Sequence, residues 1–134
     1  MSGVKLFVSF AERDGGDFAQ AIFEHYTDIG IEVFVSRHSI YPGENYEDKI
    51  YNSISNCTIF IILVTPTALT NSWMEKELSA ARKLEKRIIP CVFHRINRND
   101  LKWGINKMHL IKFYSKHSLI RELAWATHIW ICPR

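Results

Sequence analysis

A chain of 134 residues, 47% hydrophobic and 23% charged, has the balance of an ordinary globular core. At this length roughly 65–70% of the unfolded surface is buried on folding, so neither a metal nor a disulfide is required. Seventeen Lys and Arg against fourteen Asp and Glu leave a formal charge of +3, too mild to point to nucleic acid as a partner.

Three cysteines, Cys57, Cys91 and Cys132, form no C-x-x-C pair, and the histidines show no metal-ligand spacing. This argues against a disulfide framework and against a metal site, and it fits a reducing, cytoplasmic setting. No basic stretch followed by an apolar one opens the chain, so no signal peptide is expected. The longest apolar run, residues 59–64, is far too short to span a bilayer. Basic residues thicken between Lys76 and Lys116, which reads either as solvated helical faces or as a weakly anion-attracting surface.

Residues 4–10 predict a strand. Residues 11–16 (AERDGG) read as a turn, and residues 17–29 as a helix with Phe18, Ile22, Tyr26 and Ile29 on one stripe. Gly30 ends that helix, since glycine enters the left-handed region without strain. A second strand follows at 31–35, then a loop at 36–44 closed by Pro42 and Gly43. Tyr46, Ile50 and Ile54 recur every four residues and predict a second helix. Residues 58–64 (TIFIILV) are β-rich and uncharged, as suits a central parallel strand covered on both faces.

Thr65 and Pro66 stop that strand. A third helix is expected at 72–86, opened by a capping box in which Glu75 reaches back to Ser72. Residues 88–93 read as a fourth strand, in which Pro90 is awkward because it lacks a ladder donor and such residues prefer sheet edges. Residues 94–109 are irregular or a short helix, 110–113 a fifth strand, and 118–130 a last helix carrying Leu119, Leu123 and Trp130. Alternation of this kind calls for an α/β fold. The flavodoxin-like three-layer sandwich fits best: a five-stranded parallel sheet of order 2-1-3-4-5 in one domain over residues 1–134. Its ligands bind where the strand order reverses, which predicts a site built from the segments just after Phe10 and just after Val64.

Within the segment after Val64, Glu77 follows Trp73 by one helical turn, so the two share a face beside the buried stripe of Met74, Leu78 and Ala81. Two readings are open: a surface glutamate next to a half-buried tryptophan, or a carboxylate and an indole placed together for chemistry. Other nucleotide chemistries fail on the residues. No G-x-G-x-x-G follows the first strand and no Walker A sequence exists. The third strand ends Leu63-Val64-Thr65, without the aspartate a phospho-acceptor domain needs.

Three stretches, in order, resemble the signatures of the Toll/interleukin-1 receptor (TIR) domain family. Val4-Lys5-Leu6-Phe7-Val8-Ser9-Phe10, with Asp14 following, resembles its first box. Arg37-His38-Ser39-Ile40-Tyr41-Pro42-Gly43 resembles the second, and Ser72-Trp73-Met74-Glu75-Lys76-Glu77-Leu78 the region around the catalytic glutamate of enzymatic members. Lys5, His38 and Met74 depart from the usual acid, aspartate and cysteine. The prokaryotic, stand-alone members are nearer in character than animal receptors.

The resemblance implies an NAD⁺ nucleosidase that releases nicotinamide and ADP-ribose, or a cyclic isomer, in immune or anti-phage signalling. NAD⁺ would be a consumed substrate and not a cofactor. Glu77 is then the catalytic residue. Trp73, Phe10, Ala11, Arg13, Arg37 and Ser39 are candidates for substrate binding, although Phe10 reads equally as core and Arg37 as a loop-anchoring ion pair. The resemblance also implies an alternative: a non-catalytic module that signals by self-association with other TIR domains, through Ile40, Tyr41 and Pro42. In neither reading is nucleic acid, metal or membrane a partner.

Overall fold

The uncharged run at residues 58–64 becomes β3 (Ile59–Val64), every residue of which is buried. In the computed structural model, which describes residues 3–35, 43 and 45–131, β3 lies at the centre of a five-stranded parallel sheet. The other strands are β1 (Lys5–Ser9), β2 (Glu32–Val35), β4 (Arg87–Phe93) and β5 (Ile111–Phe113), in the order β2-β1-β3-β4-β5. Helices α1 (Glu12–Asp28), α2 (Tyr46–Asn56), α3 (Ser72–Lys83) and α4 (Lys116–Ile131) complete the expected three-layer sandwich.

Strand parity divides the core in two, because successive side chains leave opposite faces of a sheet. Leu6, Val8, Ile59, Ile61 and Leu63 pack with Ile22 and Tyr26 of α1 and Leu119 and Leu123 of α4. Phe7, Phe60, Ile62 and Val64 pack with Ile50 and Ile54 of α2 and Met74, Leu78 and Ala81 of α3. On that second face the rings of Phe34, Phe7 and Phe60 stack across three neighbouring strands, with centroids 5.2 and 5.3 Å apart. On the first face Tyr26 ties α1 to α4. Thr127 Oγ1 donates to the Leu123 carbonyl at 2.7 Å. Its one proton is thus used, and the Tyr26 hydroxyl is the donor in the 2.8 Å contact between the two side chains.

Several local expectations need correction. Helix α1 begins at Glu12 and runs straight through the Gly15-Gly16 pair expected to form a turn. Gly15 is buried, and a Cβ there would stand 3.4 Å from that of Phe10. Close approach of the helix to the end of β1 thus outweighs glycine's modest helical penalty. Ile29, expected on the buried stripe, lies beyond the helix and is 58% exposed.

Pro90 is buried beside β3, opposite Ile62, and not at a sheet edge. β5 pairs with β4 only from Cys91 onward, so at residue 90 one flank of β4 is still open and a proline is tolerated. Helix α3 is capped by Asn71, whose side chain accepts the Met74 amide at 3.0 Å; Ser72 is already helical and no capping box forms. The same helix stops at Lys83, three residues early. Glu85 adopts φ 56° and the Lys86 amide donates to the Ala81 carbonyl at 3.0 Å, a closure usually reserved for glycine. The predicted loop at 36–44 lies, apart from Gly43, outside the described residues.

The cap assignment has a direct check. Asn71→Ala is expected to lower unfolding free energy in urea by about 1 kcal/mol, whereas Ser72→Ala should change it by less than about 0.5 kcal/mol.

Candidate functional site

Helix α3 is held to the sheet by Met74, Leu78 and Ala81, so the residues flanking that stripe look sideways toward α2. Trp73 and Glu77 lie on that flank, one turn apart, and both line a cleft of about 290 Å³ between the two helices. Across from them stand Glu47, Asp48 and Tyr51 of α2, with Ile50, Ile54 and Ala80 among the lining residues. Trp73 is half-buried, while Glu77 is only 3% exposed.

A carboxylate so far from water needs hydrogen-bond donors. One comes from the end of β1: the buried Ser9 hydroxyl donates to Glu77 Oε1 at 2.6 Å. At the cleft mouth the Lys76 ammonium sits 4.8 Å from the centre of the Trp73 ring and 3.7 Å from Glu47 Oε2. With Glu47, Asp48 and Glu77 against one lysine, the lining is acidic, bounded by the Trp73 and Tyr51 rings.

The two segments flanking the switch point meet through a different carboxylate. Asp14 of α1 accepts the Thr65 hydroxyl at 2.6 Å and the Thr67 amide at 2.9 Å. This clamps the start of α1 to the chain leaving β3. Among the described residues, the cleft carrying Trp73 and Glu77 is walled by α3 and, opposite it, by α2.

Of the residues singled out from the sequence, Trp73 and Glu77 are brought together. Ala11, the cap residue of α1, is buried on the α2–α3 side of the sheet, the side of the cleft. Phe10 is buried on the opposite side, in the α1–α4 core. Arg13 is exposed on the first turn of α1. Arg37 and Ser39, and the Ile40-Tyr41-Pro42 patch, lie outside the described residues.

Ser9, Glu47, Asp48 and Tyr51 escaped sequence reasoning. For Ser9 a signal existed: a hydroxyl at the carboxyl end of a buried strand, in phase with Phe7 and hence on the α2–α3 face. For the α2 residues none existed, because which face of a helix borders a cleft depends on how two helices pack.

Cys57 and Cys91, the two described cysteines, offer no reactive thiol. Burial pushes the Cys57 thiol up to about 11 and the Cys91 thiol higher still, so neither is an available thiolate near neutral pH. Among the described residues no group of His, Cys, Asp and Glu is arranged to hold a metal, and no helix is long and apolar enough to cross a membrane.

Comparison with known proteins gives a consistent picture. The family model for the TIR domain matches residues 6–124. A 2′ cyclic ADP-D-ribose synthase of Acinetobacter baumannii is 25% identical over 124 residues, covering 89% of this chain and 46% of that protein. An NAD(+) hydrolase of Paracoccus denitrificans is 25% identical over 100 residues, covering 72% of this chain and 33% of that protein. The chain thus spans less than half the length of these relatives. The TIR domain of a Toll-related receptor from Hydra magnipapillata superposes with a TM-score of 0.73 at 20% identity, covering 93% of this chain and 94% of that one, which speaks to the fold alone.

The Asp14 clamp predicts a pH dependence. Burial pushes its carboxyl upward, but the hydrogen bonds from Thr65 and Thr67 more than offset this and leave it below the usual 3.8. Folding therefore favours the ionised form. The contribution is complete above the unfolded value and is lost as pH falls through the lower folded one. Asp14→Asn should lose about 1–2 kcal/mol in urea unfolding at pH 7. The gap from wild type should narrow as the pH is lowered below about 4.

Proposed function

The chain belongs to the TIR domain family, and from that premise we propose that it cleaves the bond between nicotinamide and ribose in NAD⁺. The observation that carries this reading is Glu77: a buried carboxylate, held by Ser9, in the wall of a cleft that it shares with an aromatic ring. The names of the relatives support the substrate, since one is an NAD(+) hydrolase and another a 2′ cyclic ADP-D-ribose synthase.

The chemistry suits a single carboxylate. Nicotinamide in NAD⁺ is a pyridinium, so when the C–N bond breaks its electron pair returns to the ring nitrogen and the group departs neutral. No general acid is required. What remains is an oxocarbenium-like ribosyl cation, and an anion fixed beside it lowers the barrier in the manner of a glycosidase carboxylate. Water then forms the new C–O bond and releases a proton, giving ADP-ribose. Attack by a hydroxyl of the substrate itself would instead give a cyclic isomer. NAD⁺ is consumed in either case and no cofactor is regenerated.

In this reading Trp73 stacks on or borders the nicotinamide ribose, with Lys76 displaced from its ring. The acidic lining favours a cationic ring over a neutral one. Ala11, Arg13, Arg37 and Ser39 are proposed to contact the rest of the dinucleotide. Phe10, placed in the opposite layer, acts through packing at the end of β1.

Purified protein mixed with NAD⁺ should release nicotinamide, and Glu77→Ala and Glu77→Gln should reduce the rate by about 100-fold or more while leaving thermal unfolding cooperative. Equal rates for wild type and either variant would remove Glu77 from the mechanism. Self-association belongs to the same proposal. Turnover per molecule should rise with protein concentration, in step with the sedimentation coefficient. A strict monomer whose activity is independent of concentration argues that the site is complete in one chain.

A further inference from the structure

We infer that Ser9 is a positioning residue for Glu77: its hydroxyl holds one carboxylate oxygen and thereby fixes the ionised acid in the wall of the α2–α3 cleft. The inference rests on the reading of Glu77 as the carboxylate that faces the ribosyl cation. It assigns a role to a residue that does not line the cleft.

Ser9 is the last residue of β1 and is fully buried; its hydroxyl reaches Glu77 Oε1 at 2.6 Å across 68 residues of sequence. A hydroxyl has a single proton. Directed at a carboxylate, it makes a charge-assisted bond, and 2.6 Å lies in the range of such bonds. Two physical consequences follow. Donation to the carboxylate favours the ionised over the protonated acid. It also removes rotamer freedom from a long side chain that would otherwise sample the cleft.

The hydroxyl is itself well anchored. Ser9 stands opposite Ile62 in the pairing of β1 with β3, so the donor projects from a paired strand and not from a loop. Other groups bear on the charge of Glu77. Glu47, Asp48 and Tyr51 of α2 and Lys76 of α3 share the cleft with it, while β3 presents no charged residue. All of these are unchanged when Ser9 is replaced, so their effects cancel in the comparison.

The test pairs two readouts on wild type, Ser9→Ala and Ser9→Thr. The first is the titration of the Glu77 carboxyl by carbon NMR of glutamate-labelled protein, assigned through Glu77→Gln. The second is the steady-state kinetics of nicotinamide release from NAD⁺. In Ser9→Ala the Glu77 titration should move up by about one pH unit, and kcat should fall about tenfold with KM changed by less than about threefold. Ser9→Thr, which keeps the hydroxyl, should restore both. The alanine variant decides the question alone: an unshifted Glu77 titration in a cooperatively folded Ser9→Ala protein overturns the inference. A shifted titration in a protein whose wild type releases no nicotinamide leaves the Ser9–Glu77 coupling standing and overturns the proposed reaction instead.

Discussion

A carboxylate withdrawn from water at the margin of a parallel sheet survives only if something donates to it, and here the contact between Ser9 and Glu77 meets that demand. The rest of the architecture can be understood as the means of bringing these two groups together. β1 must end beside β3, α3 must lie on the face that Ser9 points to, and the buried stripe of α3 must be rotated so that Glu77 flanks it. Remove any of these and the acid is either in solvent, where it interacts weakly with a developing charge, or buried without this donor.

The two faces of the sheet serve different ends. On the α1–α4 side Phe10 is among the core residues and Tyr26 is bonded to Thr127. On the α2–α3 side Phe34, Phe7 and Phe60 stack across three strands, and the cleft opens between the two helices, lined by Ile50, Ile54 and Ala80. Asp14 keeps these halves in register by fastening the first turn of α1 to the segment that leads from β3 toward α3. It joins the two segments that flank the reversal of strand order, and the cleft beside Glu77 opens toward α2.

Much of this was legible before any coordinates. Alternating apolar patterns and the uncharged run at residues 58–64 specify the layers, because a strand covered on both faces must be apolar throughout. The four-residue spacing of Trp73 and Glu77 put them on one face of a helix. Boundaries were less legible. Gly30 announces the end of α1, but Glu85 ends α3 in the same left-handed conformation with no residue type to signal it. Gly15 and Gly16 look like a turn but continue a helix, because a small residue was needed against Phe10.

The order of elements, the parallel sheet, the buried stripe of α3 and the pairing of an indole with a carboxylate were determined by the amino-acid sequence alone. All of them depend on periodicities that a single segment carries within itself. The tertiary structure alone decided that Glu77 is buried, that Ser9 is its donor and that α2 supplies the acidic opposite wall. Those facts concern side chains far apart along the chain. Their meeting is governed by the rotation and packing of whole helices against the sheet, which no local pattern encodes.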